Sequence, residues 1–270
     1  MTEQQHTLKQ PVALMGVGLH TGEKVTIELC PAPVNHGYKF QRIDVEGSPI
    51  IPADVDYVVA TDRGTTLEFK GVRVYTTEHV LAALVGCGID NALIKLSGPE
   101  IPILDGSALP YVHAIEKTGK VEQEAERVYL ELDEIIPWED LEKNIEFLAV
   151  PNPVYRITVM VDYNSPVLGT QHASMYHLGE FNKEIAPCRT FCFLRELEFL
   201  AKNNLVGFAC TAFKPSVAPA GAKEPFFGTN PISMAWPKKN DYPVVFDMAT
   251  ATMAKGEVMI AARDGHLLPD

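Results

Sequence analysis

Between residues 65 and 96 the apolar residues change period twice, and that switch constrains the fold more than any other feature. Residues 65–69 and 72–75 are strand-like runs, Val80, Leu81, Leu84 and Val85 recur at helical spacing, and residues 92–96 read as a strand again. A strand repeats its faces every second residue and a helix about every 3.6, so each run buries one side of a different element. Thr76 or Thr77 can cap the helix, and Gly86 or Gly88 can stop it. Glu78 and His79 then fall in the first turn, near the positive end of the helix dipole, where a carboxylate stays ionised. A neutral imidazole beside an ionised carboxylate suits a metal ligand next to a general base. The same two residues also suit simple capping and polarity at a helix start.

The neighbouring segments extend the pattern. Residues 7–30 read as two strands around a glycine turn at Gly16 and Gly18, with Val25, Ile27 and Leu29 alternating against polar neighbours. Residues 37–42 read as a strand. A second helix spans about 107–118, with Ala108, Leu109, Val112 and Ile115 as its apolar stripe and Gly119 as its stop. Asp105 is placed to cap it through Ser107. The expected class is α+β: an antiparallel-rich sheet with one face under two helices. The acidic stretch 122–127 reads as a linker. Strands are expected at 128–132, 144–149 and 155–162, and a helix at 190–203 with Phe193, Leu197 and Leu200 on one face.

At 270 residues and 46% hydrophobic content the chain can build one large domain or two small ones. A net charge of −12 without any basic cluster argues against nucleic acid or an anionic membrane as partner. The first residues are polar and lack a signal peptide's apolar centre, and no apolar run reaches the length of a transmembrane segment. Five cysteines, odd in number and without a CxxC, fit reduced thiols and a cytoplasmic location.

Longer motifs surround the Glu-His pair. Met15-Gly-Val-Gly-Leu-His20-Thr-Gly22, Pro31-Ala-Pro33 and Tyr38-Lys-Phe-Gln-Arg42 precede it. Gly88-Ile-Asp90-Asn91, Pro99-Glu100-Ile-Pro-Ile-Leu-Asp105-Gly-Ser107-Ala108 and Ala186-Pro-Cys-Arg189-Thr190-Phe191-Cys-Phe193 follow. The series resembles the zinc-dependent UDP-3-O-acyl-N-acetylglucosamine deacetylases of lipid A biosynthesis, from about Thr7 to about Leu205. The resemblance implies a Zn2+ cofactor, His79 as a ligand and Glu78 as the group that activates the metal-bound water. It further implies an acylated UDP-sugar substrate, contacted by Thr190 and Phe191 near the zinc and by Phe193 along the acyl chain. Two domains of related fold would enclose the site: 1–126 as a whole first domain, and 127–205 as the opening of a truncated second.

In that family two more ligands come from a His-x-x-x-Asp on one helical face, and another histidine stabilises the oxyanion. The eight histidines, His6, His20, His36, His79, His113, His172, His177 and His266, are read as having no Asp four residues on, so two ligands are expected to be missing. His266, in Ala261-Ala-Arg-Asp-Gly-His266, is a candidate for the oxyanion role, although the residues before it fit the following segment better. His20 reads as a turn residue and His172 as a strand-end polar residue.

From Gly207 the character changes. Gly228-Thr-Asn-Pro231 and Val244-Val-Phe-Asp247-Met-Ala-Thr250 resemble an internal piece of the type-2 malate/L-lactate dehydrogenases, which use NAD(P). The expected architecture is therefore a fusion of two partial sequences, with a foreign α/β segment at 206–270. No GxGxxG is present; Thr229, Asn230 and Asp247 are candidate remnants of cofactor or substrate contacts. Three functions remain open: an incomplete deacetylase, an oxidoreductase fragment, and a non-catalytic folded or binding module. A half-built second domain is also expected to expose apolar surface and favour self-association.

Overall fold

The computed structural model describes residues 3–163, 169–189, 201–202, 206–210, 232–239 and 242–248. The chain divides into two compact units, Met1–Cys188 and Arg189–Asp270.

The first unit is α+β. Its early strands are β1 (Gln4–Leu8), β2 (Val12–Val17), β3 (Lys24–Pro31), β4 (Tyr38–Arg42) and β5 (Ile50–Pro52). Then follow β6 (Val58–Ala60), β7 (Thr66–Phe69), β8 (Val72–Val74), helix α1 (Glu78–Gly86), β9 (Ala92–Leu96), helix α2 (Leu109–Thr118) and β10 (Lys120–Glu126). Five strands form the main sheet in the order β2-β3-β9-β4-β5, antiparallel except between β4 and β9. Strands β6–β8 form a separate antiparallel sheet.

The alternation legible in β3 and β9 decides which face is buried. Val25, Ile27, Leu29, Ile94 and Leu96 all point inward, with Phe40 and Ile51 from neighbouring strands. Val80, Leu84, Tyr111, Val112 and Ile115 come from the two helices, and none of these twelve exceeds 2% exposure. Each such side chain contributes about 1.5–3 kcal/mol over its exposed state. Ile94→Ala is therefore expected to lower unfolding stability by about 2–5 kcal/mol in a denaturant titration, through lost burial plus a cavity.

The acidic stretch 122–127 is not a linker. Strand β10 pairs antiparallel with β1, from Gln4 opposite Glu126 to Leu8 opposite Lys120. Its glutamates lie on the exposed side, whereas Gln123 donates to the Ala32 carbonyl (2.9 Å) and accepts from Asn91 Nδ2 (2.8 Å). A charge run marked a wet face here, and paired backbone lay beneath it. Arg127 closes the arrangement: its backbone N–H donates to Glu3 (2.8 Å), and its guanidinium grips both Asp90 oxygens (2.7 and 2.9 Å). That pairing with Asp90 raises the Arg127 pKa further. Residues 128–132, expected as a strand, have no regular structure.

Beyond Arg127 lie two hairpins, β11 (Ile136–Asp140) with β12 (Ile145–Ala149), and β13 (Ile157–Asp162) with β14 (Thr170–Met175). Every residue of β12 and β13 is exposed, including Phe147, Leu148 and Met160. A sheet face normally stabilises itself by covering a core; these strands cover little. The exception is a π-helical turn, Phe181–Ile185, whose Phe181 joins Met175 and Ala186 in the core beside α1. Gly86 permits this, because a Cβ there would stand 2.0 Å from the Phe181 ring. Gly86→Ala is expected to dislodge Phe181 and lower the melting temperature, although alanine is the better helix former. A rise in melting temperature would show that the ring moves aside freely. A cleft of about 460 Å3 remains here, lined by Leu81, Val85, Ile157, Met175, Phe181 and Ile185 among others.

In the second unit β15 (Gly207–Cys210), β16 (Ile232–Trp236) and β17 (Val244–Met248) form an antiparallel sheet in that order. Ala201 and Ala235 are buried, with Val245 packed against them. The expected helix at 190–203 falls almost wholly outside the described residues, apart from 201–202. Among the described residues no helix is long and apolar enough to cross a membrane.

Candidate active site

Glu78 and His79 occupy the first two positions of α1, both half-buried. The chain reaches them through an unusual turn. Tyr75 donates to the Pro99 carbonyl (2.9 Å) and accepts from the Ile101 N–H (3.1 Å), which ties its backbone to the 99–103 segment. Thr76 then adopts φ of 60°, a left-handed conformation that costs a β-branched residue dearly. Its hydroxyl donates to Glu100 Oε1 (3.0 Å), which helps to hold it there. Thr77 donates from both N–H and Oγ1 to the Thr65 carbonyl (3.2 Å each). Neither threonine therefore caps α1 through its side chain, contrary to expectation; both hydroxyls are committed to neighbouring segments. Thr65 returns the contact, its N–H donating to Glu78 Oε2 (2.9 Å). Glu78 is thus fixed at one oxygen by the backbone of another loop.

Glu100, which has no assigned role among the sequence motifs, is the most heavily bonded side chain near this pair. It is fully buried. The His20 N–H donates to both its oxygens (3.0 and 3.1 Å), and Thr21 donates to Oε2 from its N–H and its hydroxyl (2.8 Å each). Burial opposes its charge, but these donors, with the Thr76 hydroxyl, outweigh burial and hold the carboxyl below its usual range. The signal was legible: a lone acidic residue inside the apolar, proline-flanked run Pro99-Glu100-Ile101-Pro102. Because the folded pKa is depressed, the stabilisation is complete above the ordinary value of 4.5 and is lost as pH falls through the lower folded value. Glu28, paired with Lys95, and Asp44, paired with Arg42, carry the same sign. Melting temperature is thus expected to drop on acidification below pH 4.5, with a shallower slope in Glu100→Gln. Equal slopes in the two proteins would remove Glu100 from the set.

The other residues singled out in the sequence divide by task. His20 itself is exposed, at the turn its backbone anchors. Asp105 does not cap α2 itself, whose cap position is Ala108: Oδ1 accepts from the Ser107 N–H (3.1 Å) and hydroxyl (2.7 Å), and Ser107 Oγ accepts from the Leu109 N–H (3.2 Å). Asn91 bridges Gln5, Gln123 and the Gly37 N–H inside the first unit, a structural role. His172 lies within β14, exposed, opposite Met160. Thr190, Phe191, Phe193 and His266 lie outside the described residues. Among the described residues no three His, Cys, Asp or Glu side chains gather as a metal ion requires. His79 and Glu78 alone do not fit a firmly held zinc, for which hydrolytic sites use three protein ligands. One pair with the spacing of the missing ligands does exist, contrary to the expectation: His266 and Asp270. Pro269 stands between them, and proline inside a helix removes a backbone hydrogen bond, so the spacing alone does not set both on one helical face.

The family model for UDP-3-O-acyl N-acetylglycosamine deacetylase (LpxC) matches residues 5–211. The chain belongs to that deacetylase family. A bifunctional enzyme LpxC/FabZ from Chlorobaculum tepidum is 49% identical over 203 residues, covering 75% of this chain and 44% of that protein. The UDP-3-O-acyl-N-acetylglucosamine deacetylase of Shewanella woodyi is 43% identical over 205 residues, covering 74% of this chain and 67% of that one. The chain thus spans under half the length of bifunctional relatives of the deacetylase family and about two thirds of single-activity ones. A second model, malate/L-lactate dehydrogenase, matches residues 192–270 and overlaps the deacetylase match only at 192–211. A crystal structure of Δ1-piperideine-2-carboxylate reductase from Pseudomonas syringae pvar. tomato is 43% identical over 28% of this chain and 23% of its own, with a TM-score of 0.27.

Proposed function

We propose that this chain derives from a deacetylase acting on UDP-3-O-acyl-N-acetylglucosamine and carries one half of that site. One observation supports the reading above others: Glu78 and His79 stand together at the start of α1, with Glu78 held by the Thr65 N–H. The substrate class would be an acylated UDP-sugar, bound through Thr190, Phe191 and Phe193, and the protein would work in the cytoplasm. Residues 1–126 would form the complete first domain, 127–205 a truncated second, and 206–270 a dehydrogenase-like addition. The exposed apolar residues of β11–β14 would favour self-association. Deacetylation of the UDP-sugar is expected to be slight, and Glu78→Gln to leave that small rate nearly unchanged. A robust rate that collapses in Glu78→Gln would overturn the incomplete-site reading and turn attention to His266.

The match at 192–270 supports a second reading, an oxidoreductase fragment. Fluorescence titration with NADH or NADPH separates the two, since only the second reading expects saturable binding. If neither activity nor cofactor binding is found, a non-catalytic folded or binding module remains.

A further inference from the structure

Glu100 joins two parts of the chain that its own backbone also touches. His20 and Thr21 lie 80 and 79 residues from it, and Thr76 lies 24 away, yet all donate to its two oxygens. The 99–103 segment lies between them as a stitch. Tyr75 bonds to Pro99 and Ile101 on one side, while Ile103 donates to the Val17 carbonyl (3.0 Å) and Pro102 bridges Gly18 on the other. Gly18 leaves room for the carboxylate: a Cβ there would stand 2.4 Å from Glu100 Oε2 and from Thr21 Oγ1. A core that needed only stability would be served by an apolar side chain, because burying a charge is costly unless it is fully paired. Glu100 is paired by groups from the two segments that carry His20 and lead into Glu78 and His79.

We propose that Glu100 is a positioning residue of the candidate site, its single carboxylate holding the His20–Thr21 turn and the start of α1 in a fixed mutual relation. The inference rests on the reading of Glu78 and His79 as site residues. It makes the left-handed Thr76 and the His20 turn answer to one group, so that disturbing one disturbs the other.

The test uses the whole 270-residue chain, 15N-labelled, as parent, Glu100→Gln, Thr21→Val and Thr21→Ser. Amide exchange and chemical shifts are followed at Thr21, Thr76 and Thr77, with the imidazole signals of His20 and His79. Glu100→Gln is expected to speed exchange at both Thr21 and Thr77 by about tenfold, the size of losing one hydrogen bond to a charged group. Thr21→Val, a change in the distant turn alone, is expected to shift Thr76, Thr77 and the His79 imidazole. Thr21→Ser keeps the hydroxyl and should restore the parent signals. If Thr21→Val and Glu100→Gln disturb only the His20–Thr21 turn and leave 76–79 at parent values, the positioning role falls. Because Thr21 lies at the surface turn, its variants keep the question open to refutation even if Glu100→Gln does not fold. Titration with zinc ion reads the other premise separately. No response at His79 in the parent would remove the site reading while a transmitted Thr21→Val effect still upheld the coupling; a response in the parent without transmission would remove the coupling alone.

Discussion

Cut after Arg127, the chain is expected to unfold in one cooperative transition and to scatter less light than the whole chain does. The first strand and the last strand of that fragment pair with each other, and Arg127 ties Glu3 and Asp90 across the join. Its core, from Leu8 to Ile115, lies wholly within the fragment. Removed with the remainder are Leu130, Phe147, Leu148 and Met160, all at least 65% exposed and unfavourable in water. The loss is the cover that Met175, Phe181 and Ala186 give to α1. That cover is three side chains against a core of about twenty, so its removal should lower the melting temperature without abolishing the transition. Calorimetry and light scattering measure both effects. A broad, non-cooperative melt would mean that the hairpins are needed by the first domain, and the boundary near residue 126 would be wrong.

Zinc carries the second large effect. After dialysis, metal analysis is expected to find far less than one zinc per chain, and a chelator should remove what remains. A hydrolytic site supplies three ligands and leaves one position open. His79 would supply one, and metal affinity falls steeply as ligands are lost because each must also be organised by the fold. One zinc per chain surviving dialysis would defeat this expectation. His266→Ala and Asp270→Ala would then be the first replacements, since they alone share the spacing of the missing pair.

The first unit was legible because its strands and helices each bury one face. Ala92–Leu96 is found as the strand expected there, and Glu78 and His79 fall in the first turn of α1 as expected. The failures have physical causes. Strand β10 was hidden because charges on its wet side masked a period-two pattern in Gln123 and Ala125. Strands β5 and β6 are three residues each, too short for a period to show. Glu78 and His79 were found from their place at a helix start. Glu100 shows in the sequence only as an acidic residue in an apolar run; its role comes from contacts with turns some 80 residues away, which spacing along the chain does not encode.

The adjacency of β1 and β10 has a consequence for how such a chain tolerates change. A domain whose first and last strands are neighbours receives and releases the polypeptide at one edge. Sequence added there, exchanged or cut short hangs from a single side, and the strand order of the main sheet need not alter to accommodate it. Recombination downstream of Arg127 therefore meets little topological resistance from the residues before it. Two unrelated family matches can share one polypeptide while the earlier fold stays whole.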